Sequence, residues 1–184
     1  MIEISYIEAI FCICLLWILI RGLVCFMQKK IEWKREWQLL LVYVCIVVVV
    51  RFTFFPFATV AGHTQPLIYD SSKLFPLRIN LIPFVHMIDY PSLYEIVINF
   101  VGNTVMFIPL GIVWPSVFKE LNTAFKTIVM GSVFSLCIEV LQLPFYDRVS
   151  DVDDLILNTV GFMIGYGIYF TFKIFLQVIK RNDS

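Results

Sequence analysis

The stretch DRVSDVDDLILNTVGFMIGYG, residues 147–167, decides the fold. Polar and small side chains recur in it at intervals of three and four residues, which places them on one face of a helix: Asp151, Asp154, Asn158, Gly161 and Gly165. The helix dipole favours the acidic residues of the first turn, and the two glycines permit a close helix crossing. We therefore predict a helix that packs against neighbours along this face, with Asp153 off the face and solvated.

The rest of the chain is too apolar for a soluble domain. Of its 184 residues, 60% are hydrophobic and 15% are charged, against about 45–50% and about 25% in ordinary soluble domains. Five apolar runs are long enough to cross a bilayer: residues 9–27, 37–57, 93–114, 127–143 and 152–176. The sequence predicts an all-α, polytopic membrane bundle of about five transmembrane helices, with residues 1–184 forming a single transmembrane domain.

Composition also narrows the partners and cofactors. Fourteen Lys and Arg balance fourteen Asp and Glu, so there is no electrostatic argument for nucleic acid binding. The five cysteines lie in apolar runs without metal-ligand spacing and are predicted to be small buried hydrophobes. The isolated histidines His63 and His86 are not expected to be ligands. We predict no cofactor and no metal, and we expect the first apolar run to be a retained helix because no signal-peptide pattern accompanies it.

Basic residues are distributed unequally between the two sides of the bundle. Nine Lys and Arg lie at or beyond the C-terminal ends of the first, third and fifth runs, whereas three lie in the opposite loops. The positive-inside rule then predicts an outer N-terminus and a cytoplasmic C-terminus.

With this orientation, ionisable and amide side chains from four helices fall in the outer half of the membrane. Such groups are costly in hydrocarbon and normally face the bundle interior. They can be structural links between helices, but the surplus of acid over base is more than packing requires. The set comprises Arg51, Glu95, Asn99, Asn103, Glu139, Gln142, Asp151, Asp154 and Asn158.

The outer segment between the second and third runs, residues 58–92, combines helix-breaking prolines with an apolar stretch. Prolines at positions 66, 76, 83 and 91 exclude a continuous helix. Its stretch LFPLRINLIPF is too apolar for a free loop, so we expect the segment to lie on the bundle, partly in the interface or re-entering the membrane.

The polar motifs occur together in a recognisable order. They are Asn80-Leu81-Ile82-Pro83-Phe84, then Asn99 and Asn103 followed by Phe107-Ile108-Pro109-Leu110-Gly111, then Glu139 with Gln142, then Arg148, Asp151, Asp154, Asn158, Gly161 and Gly165. Over residues 80–167 the chain resembles the VanZ-like family of bacterial membrane proteins. The resemblance implies a cell-envelope protein of the bacterial cytoplasmic membrane, linked to resistance to glycopeptides, chiefly lipoglycopeptides of the teicoplanin type. It supplies no mechanism.

We expect the outer polar residues to bind an amphiphilic ligand: a lipid-linked cell-wall precursor, a lipid headgroup or the lipoglycopeptide itself. Arginines would hold phosphate or carboxylate, and asparagines would fix a peptide or sugar. The predicted ligand-binding residues are Arg51, Arg78, Asn80, Asn99, Asn103, Glu139, Gln142, Arg148, Asp151, Asp154 and Asn158.

Other functions remain open. In a membrane enzyme, Glu139, Asp151 and Asp154 would bind Mg²⁺ or Ca²⁺ or supply an acid or base for a phosphate-bearing lipid, although no HExxH, GxSxG or P-loop motif accompanies them. A transporter would use a carboxylate relay, but the inner half offers too few polar groups. A homo-oligomer through the Gly161–Gly165 face is a further alternative, less favoured than packing within the chain.

The predicted orientation can be tested by cysteine labelling. In a background without the five native cysteines, we expect Ser72→Cys to react with a membrane-impermeant maleimide in intact cells, because residue 72 lies in the outer segment. Lys34→Cys should react only after permeabilisation, since position 34 lies in a basic inner loop. The reverse pattern would show that the chain is inserted the other way round.

Overall fold

The fold is described from a computed structural model, which covers residues 1–55, 59–60, 63–85 and 92–182. His63 contributes only its main chain to this description, and His86 lies outside the described residues.

Five helices account for most of the described chain. Each is long and apolar enough to cross a membrane, which confirms the predicted all-α, polytopic membrane fold. They are α1 (Tyr6–Gln28), α2 (Trp33–Phe54), α3 (Leu93–Val117), α4 (Ala124–Gln142) and α5 (Val152–Asn182).

The helix ends differ from the predicted runs for local reasons. Helix α1 begins at Tyr6 rather than residue 9, because Ser5 and Glu8 form a reciprocal capping box. Helix α2 ends at Phe54 rather than residue 57. Phe55 is extended, with φ −114° and ψ 130°, as expected for a residue that precedes a proline.

In the part of the chain that the structure describes, six short strands form three two-stranded sheets. The strands are β1 (Ile2–Ile4), β2 (Thr59–Val60), β3 (His63–Thr64), β4 (Leu67–Tyr69), β5 (Ile79–Asn80) and β6 (Ser150–Asp151). Strands β1 and β4 pair antiparallel, as do β2 and β3, whereas β5 and β6 pair parallel. The described part of the outer segment therefore contains strands and one 3-10 turn at Ser71–Leu74. That the segment re-enters the membrane remains a prediction.

The chain divides into two compact units. The first comprises Met1–Arg78 with Gln142–Val149, and the second comprises Ile79–Leu141 with Ser150–Ser184. The single domain expected from the sequence stays a prediction.

In the first unit, α1 and α2 form a hairpin closed at both ends. Pairing of β1 with β4 brings the chain before α1 beside the chain that follows α2. Trp17 stacks on Tyr43, with ring centroids 4.8 Å apart. Near the other end, Arg21 of α1 forms an ion pair with Glu36 of α2.

In the second unit, α3 and α5 cross closely at the glycines singled out by the sequence. A Cβ atom on Gly161 would overlap the carbonyl oxygen of Thr104, and one on Gly165 would overlap that of Ile108. The predicted close crossing is therefore confirmed, and α3 of the same chain occupies the glycine face.

The cysteine prediction is wrong. Cys12 and Cys137 are exposed and the other three are partly exposed, although all five are free thiols. In a membrane protein, apolar side chains also face lipid, so an apolar neighbourhood does not predict burial within the chain.

The glycine crossing makes a stability prediction with a matched control. Gly165→Ala should destabilise the detergent-solubilised protein by about 1–3 kcal/mol, because the added methyl group overlaps α3. Gly167→Ala on the same helix should be neutral or slightly stabilising, since nothing lies within 4 Å of its Cβ position. Thermal unfolding of the two variants measures the difference, and equal midpoints would contradict the described crossing.

Candidate functional site

Parallel pairing of β5 with β6 builds one edge of a polar site in the second unit. The register places Asn80 opposite Asp151, and the Asn80 side-chain amide donates to Asp151 Oδ1 over 3.0 Å. The main-chain N–H of Asp153 donates to the same oxygen over 2.9 Å. Asp151 is thus the N-cap of α5 and also the anchor of the segment that begins at Asn80.

Glu139 joins α4 to this edge. Its Oε2 accepts the main-chain N–H of Asp151 over 2.9 Å, and the residue is only 3% exposed. Asp151 and Asp154 lie near enough for their carboxylates to repel that of Glu139. The buried side chain of Glu139 therefore lies beside the N-terminus of α5.

Asp153, expected to be solvated, is in fact 8% exposed. Its two carboxylate oxygens accept the main-chain N–H of Phe84 over 2.9 and 3.1 Å. Helix periodicity predicted that Asp153 lies off the face shared by Asp151, Asp154 and Asn158. It did not reveal that the turn at residues 80–84 covers this other face, and that turn makes the prediction of solvation wrong.

The amide face of α3 also reaches α5. The Asn103 side-chain amide donates to Asn99 Oδ1 over 3.1 Å and to Asp154 Oδ1. Glu95, one turn before Asn99, is exposed in the first turn of α3. Of the three positions on this face, Asn103 contacts α5 directly through Asp154, and Asn99 contacts Asn103.

Asn158 lies one turn deeper than Asp154 and is 1% exposed. Its Nδ2 donates to Ser135 Oγ of α4 over 2.9 Å. Its Oδ1 has no hydrogen-bond partner among the described residues. Sequence reasoning missed Ser135, although its position four residues before Glu139 places both on one face of α4.

Seven predicted site residues therefore converge in the second unit, where they join α3, α4, α5 and strand β5. We call this set the polar network: Asn80, Asn99, Asn103, Glu139, Asp151, Asp154 and Asn158.

The remaining four predicted site residues lie in the first unit: Arg51, Arg78, Gln142 and Arg148. Three of them donate hydrogen bonds to carbonyl oxygens at the C-terminal end of α2. Gln142 donates to the carbonyl oxygen of Thr53 over 2.7 Å, and Arg148 donates to that of Phe54 over 2.7 Å. Arg51 donates to the carbonyl oxygen of Phe55 over 3.0 Å. Three consecutive carbonyls that have no partner within the helix are satisfied in this way, two of them by cations that the helix dipole favours.

Arg78 has a similar role in the turn that follows α4. Its two terminal nitrogens donate to the carbonyl oxygens of Phe145 and Tyr146, each over 2.6 Å. Gln142 ends the helix that precedes this turn, and Arg148 lies shortly after Tyr146. The structure thus brings the predicted arginines to main-chain carbonyls, and their contact with a ligand phosphate or carboxylate stays a prediction.

Among the described residues, the carboxylates of the polar network are not arranged as a metal centre. In the ranges that the structure describes, no group of three or more His, Cys, Asp or Glu side chains is placed to hold a metal ion. The geometry therefore gives no support to the enzyme alternative in which Glu139, Asp151 and Asp154 bind a divalent cation.

Comparisons with known proteins identify the family. A family profile described as VanZ/LLP1 matches residues 40–175, which extends the resemblance from the outer segment back into α2. Protein VanZ of Enterococcus faecium is 31% identical over 91 residues, 50% of this chain and 52% of that protein. The chain thus spans about half the length of the curated relative that it matches, and no solved structure matches it. Because the profile covers most of the chain, from α2 to α5, this five-helix membrane protein belongs to the VanZ/LLP1 family.

Proposed function

We propose that this VanZ/LLP1 family protein binds an amphiphile in the bacterial cell envelope and that this binding underlies resistance to lipoglycopeptides of the teicoplanin type. The N-terminus is outside and the C-terminus cytoplasmic, so the polar network lies beneath the outer headgroups of the cytoplasmic membrane. A lipid-linked cell-wall precursor, a lipid headgroup or the antibiotic itself would supply the amphiphile.

The polar network carries this proposal. Seven hydrogen-bonding side chains from three helices and two strands meet in a chain that is otherwise strongly apolar, where each such group costs free energy unless it is hydrogen-bonded. The network is not fully satisfied internally, because Asn158 Oδ1 is buried without a partner among the described residues. These features support a site that is complete only when a polar ligand group is present.

An apolar surface adjoins the network and suits the other part of an amphiphile. The turn from Leu81 to Val85 directly follows Asn80, and all five of its residues are exposed, Leu81 by 74%. Asp153 holds the turn through the N–H of Phe84, whose ring stacks on Phe100 with centroids 6.1 Å apart. A ligand whose polar group reaches the network would find this turn beside its apolar chain.

The arginines and Gln142 of the first unit are assigned a supporting role. Each donates hydrogen bonds to main-chain carbonyls. The positive charge of each arginine is therefore directed towards the backbone. The proposed ligand site therefore consists of the polar network and the Leu81–Val85 turn.

Charge-neutral variants of the network test the proposed function. In a glycopeptide-susceptible bacterium that expresses the protein, Glu139→Gln and Asp154→Asn should lower ligand affinity about tenfold, since a hydrogen bond to a charged group contributes about 1.5–3 kcal/mol. The measurement is the minimal inhibitory concentration of a lipoglycopeptide, normalised to the amount of inserted protein.

The matched control for these variants is Glu95→Gln, which makes the same chemical change at an exposed position of α3. It should keep full resistance. Full resistance in both network variants, with normal insertion and thermal stability, would refute the proposed site.

The supporting role of Arg78 gives a separate prediction. Arg78→Lys should lower the stability of the protein by about 1–3 kcal/mol, because a lysine cannot donate to the Phe145 and Tyr146 carbonyls in the same forked geometry. Resistance per folded molecule should be unchanged. If it instead falls as far as in Asp154→Asn while thermal stability holds, Arg78 contacts the ligand, as the sequence alone suggested.

A further inference from the structure

We propose that the basic end of the α1–α2 hairpin binds the headgroup of one anionic phospholipid. The basic end comprises residues 21–37: the last two turns of α1, the connection and the first turn of α2. It lies in the first unit, whereas the polar network lies in the second. The inference therefore goes beyond the proposed function and does not depend on it.

The basic end carries a local excess of positive charge. Its residues include five Lys and Arg against two Glu, in a chain whose overall net charge is zero. Both glutamates already form ion pairs, Glu36 with Arg21 and Glu32 with Lys30. Neither pair includes Lys29, which is exposed. The glutamates of this end therefore leave positive charge that an anion can neutralise.

Lys30 is also accessible to an anion. The side chains of Lys30 and Glu32 are 72% and 61% exposed, and an ion pair at such an exposed position contributes little free energy. A phosphate can therefore replace Glu32 as the partner of Lys30 at small cost. Lys29 and Lys30 together provide two adjacent ammonium groups.

A groove at the basic end combines these ammonium groups with apolar side chains. Its volume is about 680 Å³. No atom of the described chain lies within 4 Å of the position that a Cβ atom of Gly22 would take, so this glycine leaves space in the groove and is not required for helix packing. The lining residues are Gly22, Cys25, Phe26, Met27, Lys29, Lys30 and Ile31.

The groove lies at the depth of the lipid headgroups. Helix α1 has 23 residues, which gives a length of about 34 Å, slightly more than the roughly 30 Å of a bilayer's hydrocarbon core. Its C-terminal end therefore reaches the interface. Trp33 and Trp37, one turn apart on α2, are both largely exposed, as is typical of tryptophans at a membrane interface.

These features favour an anionic phospholipid over other anions. Its phosphate would contact Lys29 and Lys30, and its acyl chain would lie on the exposed side chains of Phe26 and Met27. A soluble anion would neutralise the charge but leave the apolar lining uncovered. A second copy of the basic end would bring like charges together. Phosphatidylcholine carries a choline cation beside its phosphate, so it adds no net negative charge.

The first test is native mass spectrometry of the purified full chain in a nonionic detergent, titrated with dioleoyl phosphatidylglycerol or with dioleoyl phosphatidylcholine. The first molecule of phosphatidylglycerol should bind about tenfold more tightly than the first molecule of phosphatidylcholine. Equal affinities for the two lipids would overturn the inference.

A charge variant locates the site. Lys29→Gln combined with Lys30→Gln should weaken phosphatidylglycerol binding about tenfold and leave phosphatidylcholine binding unchanged. The matched control is Lys119→Gln combined with Lys126→Gln, which removes two exposed lysines of the second unit and should leave both affinities unchanged. An equal loss in the two double variants would show attraction to the overall charge and would overturn the inference.

A volume variant tests the groove without a change of charge. Gly22→Leu should weaken phosphatidylglycerol binding at least fivefold because its side chain fills the groove, and the helix should tolerate it because leucine is a better helix former than glycine. Gly167→Leu makes the same change at another open position and should bind the lipid normally. Unchanged binding by folded Gly22→Leu would overturn the inference, also if the lysine variant does not fold.

A competition arm distinguishes a lipid site from a site for a soluble anion. Inorganic phosphate in millimolar excess should not displace phosphatidylglycerol, because it cannot contact the apolar lining. Displacement by inorganic phosphate would overturn the assignment to a lipid. Each of these outcomes is independent of lipoglycopeptide resistance, so failure of this inference leaves the proposed function of the polar network intact.

Discussion

Helices leave main-chain N–H and C=O groups without hydrogen-bond partners at their ends, and hydrocarbon cannot supply those partners. The structure depends on side chains that form the missing hydrogen bonds. At the start of α5, Asp151 accepts the N–H of Asp153, and Glu139 accepts the N–H of Asp151 itself. At the end of α2, Arg148 and Gln142 donate to successive carbonyls. Acids at an N-terminus and cations at a C-terminus are the arrangement that the helix dipole favours.

This constraint separates two roles that look alike in sequence. The arginines of the first unit direct their charge to carbonyl oxygens, so they hold turns and helix ends. The carboxylates of Glu139, Asp151 and Asp153 accept main-chain and amide N–H groups, so they anchor the Asn80 turn and the start of α5. That difference is why the second unit is the better candidate for a ligand site.

The close α3–α5 crossing brings side chains of the polar network within hydrogen-bond distance of one another. Because Gly161 and Gly165 bring α5 against the backbone of α3, the short side chain of Asn103 reaches Asp154 across the interface. A wider crossing would separate these groups or admit lipid between them. The same packing leaves the glycine face occupied within the chain, and the exposed apolar residues of the helices are left to contact lipid.

The sequence by itself determined the class of fold, the five spans to within a few residues and the face shared by Asp151, Asp154 and Asn158, because all of these follow from hydropathy and helical period. Tertiary structure alone decided which partners these residues meet. Asp153 is buried because a turn some seventy positions earlier in the chain covers it, and Arg78 contacts the carbonyls of Phe145 and Tyr146. Helical period reports only neighbours within one helix, whereas these contacts join residues that are distant in sequence.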